Sequence, residues 1–419
     1  MTLTIENAWL PGQGLIRMQV EAGRIVAMGA DLLPPPDGER LDAQGMAIVP
    51  GFVNGHSHAA MTLFRGFGDD MPLMEWLQTR IWPAEARLSE EDVYWGTRLA
   101  CLEMIRSGTL YFEDMYWHFH GMARAVEASG IRAGLGAVLI DVAGEEQARQ
   151  CQYQAEKLCE EAKGYSDRVR FTLTPHAIYT VSGSSLRWVG DFAARHDLVV
   201  HIHLSETLHE VEQCVQAHGL RPAFYLDRLG LLHPNILLAH GVHLDAAELD
   251  LIARQGATIV TNPVSNMKLA VGGVFPYRQA ADRQIPIALG TDGAASNNTL
   301  DMFQNMKLFS LLQKHADQDP TVLPAEEAWA IATGCRAPIF GQSGRLAVGE
   351  KADFILLRHT LPEVTPTHHL ISNTVYAATG HVVDTVVVDG RVLMHNRHVE
   401  AEEEICHEVR VRAKRLCAS

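Results

Sequence analysis

Between residues 109 and 293 the chain repeats one pattern, a short apolar run followed by a longer segment with helical spacing. TLYFEDMY (109–116), IRAGLGAVLID (131–141), VRFTLTPH (169–176), LVVHIHLSE (198–206), NILLAHGV (235–242), ATIVTNPVS (257–265) and IPIALGTDG (285–293) are such runs, and AIVPGFVNGH (47–56) ahead of them makes eight. Strands that alternate with helices pair in parallel. Eight repeats, each with polar residues just past its apolar run, predict an α/β fold of the (β/α)8 TIM-barrel type, with its chemistry at the C-terminal strand ends. An open doubly wound sheet is the competitor, and the lack of a G-x-G-x-x-G after the first strand weighs against it.

The two ends of the chain follow another rhythm. Residues 1 to 50 alternate short apolar runs with turns, and the same rhythm returns in GRLAVGEKADFILLRH (344–359) and VVDTVVVDGRVLMHN (382–396), where Asp389-Gly390 fits a tight hairpin. These segments predict a small β-sandwich domain made of residues 1–50 with 345–400, closing around a catalytic barrel at 51–344. Residues 401–419 read as an amphipathic C-terminal helix without evident chemistry.

Composition narrows the function. With 47% hydrophobic and 20% charged residues, the 419-residue chain has material for a large core and is not compositionally disordered. Its net charge of −15 repels polyanions and anionic membranes, so a nucleic-acid polymer or a membrane is not expected as partner, whereas a neutral nucleoside is compatible. No stretch approaches the roughly 18 apolar residues of a membrane span, and the N-terminus lacks the pattern of a secretion signal. Cys101, Cys151, Cys159, Cys214, Cys335, Cys406 and Cys417 are scattered without a CxxC pair, which predicts reduced thiols and a cytoplasmic protein.

The 21 histidines invite a search for spacing. His56 and His58 end the first run, and residues two apart on a strand share a face, so both imidazoles can meet one ion. His203 lies in the fifth run, His240 ends the sixth and Asp292 ends the eighth. Such donors at neighbouring barrel mouths suit a borderline cation such as Zn2+. His201 also faces the interior, and is expected to be a deeper packed residue. His118, His120, His209, His218, His233, His243, His368 and His369 are expected at the surface or behind the site. Glu206, three residues past His203, can reach over a metal-bound water without ligating, as a proton shuttle does.

At these positions the chain resembles the amidohydrolase superfamily, and within it the 5′-methylthioadenosine/S-adenosylhomocysteine deaminase group. The resemblance runs through PGFVNGHSHAAMTLFRGFGDDMPLMEWLQTRIWPAEARL, TPHAIYT, HIHLSET, LAHGVHL, TNPVSNMKL, LGTDGAASNN and GEKADFILL. It implies one divalent ion, expected to be Zn2+, on His56, His58, His203 and Asp292; the fourth run lacks the lysine that bridges two metals in other members. It further implies that Glu206 moves a proton from water to a ring nitrogen, that His240 hydrogen-bonds the attacking oxygen, that Glu85 grips ribose hydroxyls, and that His176 lies near sugar and purine. Arginines that hold the amino-acid carboxylate of S-adenosylhomocysteine have no clear match: Ala137 occupies one such position, and Arg149 is the candidate to supply the charge.

The expected reaction is hydrolytic deamination at C6 of the adenine of 5′-methylthioadenosine or adenosine, with S-adenosylhomocysteine less favoured because a desolvated carboxylate needs a cation. A deaminase or hydrolase of guanine, a pterin, cytosine or an s-triazine is the alternative, and a non-catalytic scaffold the second alternative. The resemblance leaves a homodimer open.

Overall fold

The structure is a computed structural model and describes residues 2–33, 37–342 and 344–418. Alternation sets the first five strands: β1 (Thr2–Leu10), β2 (Gly14–Glu21), β3 (Arg24–Gly29), β4 (Glu39–Asp42) and β5 (Met46–Val49). In β2, Ile16, Met18 and Val20 are buried while their neighbours are less so, the period of a half-buried strand.

The barrel strands have no such alternation. They are β6 (Phe52–Ser57), β7 (Thr109–Tyr116), β8 (Arg132–Leu139), β9 (Val169–Pro175), β10 (Val199–Leu204), β11 (Ile236–His240), β12 (Thr258–Thr261) and β13 (Ile287–Leu289). Every residue of β6, β7, β10 and β11 is buried, because helices cover the outer face and side chains fill the inner one. The eight strands pair in parallel in chain order. The ring closes where Thr291 and Asp292 donate their N–H groups to the carbonyl of His56, at 3.2 and 3.0 Å. Asn54 strengthens the seam, accepting from Thr291 N at 3.0 Å and donating to Thr291 Oγ1 at 2.7 Å. All eight expected strands are present. The first is shorter than AIVPGFVNGH, because Pro50 and Gly51 break it: Met46–Val49 stays with the first sheet and the barrel begins at Phe52. A Cβ on Gly51 would stand 2.3 Å from Leu110, so only glycine lets the chain cross here.

Three late strands, β14 (Phe354–Arg358), β15 (Val383–Val388) and β16 (Arg391–Met394), return to the first sheet. The expected sandwich is hydrogen-bonded as one mixed sheet, ordered β16-β15-β14-β5-β1-β2-β3 with β4 also on β1, around its own apolar core. Asp389 and Gly390 join β15 to β16 with φ of 51° and 68°, the two left-handed residues of a tight hairpin turn. Arg132, buried at the start of β8, pairs with Asp353 and Asp389 and ties this sheet to the N-terminal end of the barrel; Arg168 adds a 3.0 Å contact to Asp389. Helix Glu402–Leu416 packs on helix Glu90–Arg106, where Arg415 donates to Asp92 at 2.5 Å.

Between β6 and β7 the chain lays a lid over the barrel mouth. Leu73–Trp76 and Trp82–Glu85 are α-helical and the five residues Leu77–Ile81 between them form a π turn. The wider turn precedes Pro83, whose ring would clash with the Thr79 carbonyl in a regular helix.

Candidate functional site

Strand ends at the barrel mouth bring His56, His58, His203, His240 and Asp292 together. The ring nitrogens of His56, His58 and His203 lie within 4.8 Å of one another, as do donor atoms of His56, His240 and Asp292. Asp292 Oδ1 is 3.4 Å from His56 Nε2 and 3.2 Å from His58 Nε2. Two donors about 2.0–2.1 Å from one tetrahedral ion stand about 3.4 Å apart, so these separations fit a shared cation. His56 Nε2 is buried and has no hydrogen-bond partner, which a metal would supply.

Each ligand is aimed by a second bond. His58 Nδ1 donates to Met115 O at 2.7 Å and His203 Nδ1 to His176 O at 2.8 Å, leaving both Nε2 atoms with lone pairs toward the centre. His56 Nδ1 lies 2.8 Å from His201 Nε2. His201 is the fully buried residue expected, and its ring also braces that of His56, 145 positions away. Asp292 Oδ2 accepts from Ser265 Oγ at 2.6 Å and Ser296 Oγ at 3.0 Å, which turns Oδ1 to the histidines. The serines in TNPVSN and GTDGAASNN carry this role, and their nearness to Asp292 was not deducible from spacing. His240 and Asp292 adopt φ of 76° and 60°, backbone strain held by the strand ends around them.

Electrostatics follow from burial. Desolvation lowers His56 to about 4 and holds His203 well below its ordinary value. His58 is also desolvated, but its hydrogen bond and charge interaction with Asp292 outweigh burial and raise it to about 9. Glu206 is buried, and desolvation raises its pKa above the ordinary glutamate value. Its Oε1 is 3.8 Å from His240 Nδ1. His240 Nδ1 donates to Asn266 Oδ1 at 2.8 Å, so Nε2 is left as an acceptor.

These groups floor one cleft, walled by Leu73, Trp76, Leu77, Ile81 and Trp82 of the lid and by Met115, Trp117, Val138 and Ile140. Glu85 and His176 also line it, as expected. Glu85 Oε1 accepts from Tyr116 OH at 2.8 Å, and burial raises its pKa. His176 Nδ1 lies 2.9 Å from Thr180 Oγ1, and burial lowers its pKa to about 3, so the imidazole is neutral. One expectation fails. Arg149 does not reach the cleft; it sits exposed on helix Glu145–Glu161, paired with Glu146 at 2.9 Å. From the β8 region that holds Ala137 it is Val138 and Ile140 that line the cleft, and among the described residues no lysine or arginine lines it. The exposed helix face attracts Arg149 to its own acidic neighbours, and the pleat sends alternate β8 residues to opposite faces.

Comparison with known proteins agrees with this geometry. The Amidohydrolase family model matches residues 47–393. A 5′-deoxyadenosine deaminase from Methanoregula boonei is 45% identical over 413 residues, 97% of this chain and 93% of that protein. A 5-methylthioadenosine/S-adenosylhomocysteine deaminase from Desulforamulus reducens is 44% identical over 384 residues, 90% of this chain and 88% of that protein. The crystal structure of an adenosine deaminase from Xanthomonas campestris with bound zinc superposes with a TM-score of 0.90 at 33% identity, covering 99% of this chain and 98% of that one. The chain belongs to the amidohydrolase family.

Proposed function

We propose that the protein is a metal-dependent aminohydrolase that deaminates C6 of adenine in adenosine and in adenosine analogues with a small apolar 5′ group, such as 5′-methylthioadenosine. One observation carries the reading: a His/Asp cation site and the buried Glu206 carboxylate share an apolar cleft with a second, part-buried carboxylate, Glu85. The first pair suits hydrolysis of a cyclic amidine. The second suits a ribose diol, which two carboxylate lone pairs can accept.

His56, His58, His203 and Asp292 would hold one divalent ion, with Zn2+ favoured by imidazole-rich donors. The ion supplies Lewis acidity, lowering the pKa of water from 15.7 toward about 7. The chain's own groups do the rest. Glu206 takes a proton from the attacking water and delivers it to ring N1, removing aromatic resistance at C6. His240, with Nδ1 committed to Asn266, accepts through Nε2 from the attacking water and orients it. Glu206, ionised again, then takes the proton of the new C6 hydroxyl and passes it to the amine, so that the C6–N bond breaks, the C6 carbonyl forms and ammonia leaves. Glu85, held by Tyr116, and the neutral His176 position the sugar. The hydrophobic lid excludes bulk water.

A largely apolar cleft that no lysine or arginine lines, among the described residues, disfavours the amino-acid carboxylate of S-adenosylhomocysteine. The 5′-deoxyadenosine deaminase named above supports substrates with a reduced 5′ carbon. We also take residues 1–50 with 345–400 as a small domain beside the barrel at 51–344, supported by the two separate sheets. The seven cysteines are free thiols, which supports a cytoplasmic setting, and no helix among the described residues is long and apolar enough to cross a membrane.

The test is steady-state turnover of adenosine, 5′-deoxyadenosine, 5′-methylthioadenosine and S-adenosylhomocysteine by zinc-loaded protein, followed by the ultraviolet change of adenine to hypoxanthine. Turnover of the first three, with the last slowest, is expected. No turnover of any would defeat the proposal, and equal efficiency on the last would defeat its specificity.

A further inference from the structure

The carboxylate of Glu206 is not held by any hydrogen bond among the described residues; desolvation and the charges of His240, Asp292 and His58 are what act on it. Its aim therefore depends on the backbone that carries it. That backbone is unusual. Ser205 is left-handed at φ 51°, so the chain turns sharply between the end of β10 and Glu206. The Ser205 carbonyl accepts from His243 N at 2.9 Å, and the Leu204 carbonyl accepts from Gly241 N at 3.0 Å, which anchors one side of the turn to the strand that carries His240.

The other side is held by a buried carboxylate. Glu210, 4% exposed, stands in the first turn of helix Leu208–His218 and accepts Ser205 N on Oε1 and Glu206 N on Oε2, both at 2.9 Å. The helix cap is supplied separately, by Thr207 Oγ1 accepting from Glu210 N at 3.2 Å. In an ordinary capping box the third helical residue reaches back to the cap N–H. Here it reaches past the cap to the two preceding N–H groups. A helix needs no such bond, whereas a turn that must present Glu206 in one direction does.

We infer that Glu210 is a positioning residue, whose two-oxygen clamp on Ser205 and Glu206 aims the Glu206 carboxylate at the reacting water. The inference rests on the role proposed above for Glu206. A rigid clamp matters because a misplacement of about 1 Å between reacting groups costs on the order of 100-fold in rate. It also explains why a carboxylate is buried beside another one. Burial raises Glu210 to about 7 against the pull of both N–H groups, a costly arrangement for a residue with only a packing role.

The experiment compares wild type with Glu210→Gln, Glu210→Asp and Thr207→Ala in zinc-loaded full-length protein. Gln keeps the shape but presents an NH2 donor to one of the two N–H groups; Asp keeps the charge but is one methylene too short to span both. With 5′-methylthioadenosine, kcat is expected to fall about 10- to 100-fold in Gln and by less in Asp, with KM and zinc content close to wild type. Thr207→Ala, which loses the cap and keeps the clamp, is expected to retain kcat. A Gln variant with wild-type kcat, or one whose zinc content and KM fail together with kcat, overturns the inference. Amide hydrogen exchange needs no substrate: faster exchange in the Gln variant confined to the segment around residues 205–206 supports the clamp, and unchanged exchange there sinks it. Wild type inactive on every adenosine analogue would instead count against the proposed function, and the exchange result would still judge the clamp.

Discussion

The two ends of the barrel solve the burial of charge in opposite ways. At the N-terminal end Arg132 is buried between Asp353 and Asp389, with Arg168 alongside, so each charge meets an opposite one. At the mouth the buried Glu206 and the part-buried Glu85 have no lysine or arginine in the cleft, imidazoles are crowded together, and Ser205, His240 and Asp292 hold left-handed backbone. The first arrangement couples two sheets. The second keeps donor atoms unsatisfied until an ion and a substrate arrive, which is the usual division of labour between the two faces of a barrel. Stability and reactivity are thus written into different ends of the same eight strands.

The sharpest way to break this comparison is to change one group at each end. Glu206→Gln removes the proton carrier while conserving shape, and kcat on 5′-methylthioadenosine is expected to fall about 100- to 10,000-fold with zinc content unchanged. Steady-state kinetics with metal analysis checks it, and loss of less than tenfold would remove Glu206 from the chemistry. Arg132→Ala leaves the Asp353 carboxylate, 8% exposed, without its cation and Asp389 with Arg168 alone, and a loss of about 3–5 kcal/mol in stability is expected, read by denaturant unfolding. The kcat of the protein that remains folded should be unaltered; a matching fall in kcat would show that the ends are not independent.

Smaller effects sharpen the description of the mouth. His201→Leu removes the partner of His56 Nδ1, and zinc affinity is expected to weaken about 10- to 100-fold, measured by competition with a chelator. Unchanged affinity would return His201 to a packing role. The last effect is a shift along the pH axis. Glu206 must be ionised to accept a proton, and its pKa is raised by burial, so activity is lost as pH falls through that raised value. The acid limb of kcat is expected above the ordinary glutamate value of about 4.3, and a limb at or below it would mean that nearby positive charge cancels desolvation.

Much of the site was legible before the fold. Strand-end positions of His56, His58, His203, His240 and Asp292 followed from apolar runs and period-two alternation, and the structure brings all of them together. Glu206, Glu85 and His176 line the cleft as expected. The one misplaced residue has a physical cause. Arg149 carries a suitable charge, but charge does not reveal which side of a helix a residue occupies.

What the sequence alone determined is the order and chemistry of the donors and the number of strands that carry them, because alternation and side-chain type are local properties of the chain. Only the tertiary structure decided which atoms aim those donors: His201 on His56, Ser265 and Ser296 on Asp292, Asn266 on His240, and Glu210 on the peptide of Glu206. Most of these bonds join residues on different strands or loops, and their geometry exists only once the ring of strands has closed between β13 and β6.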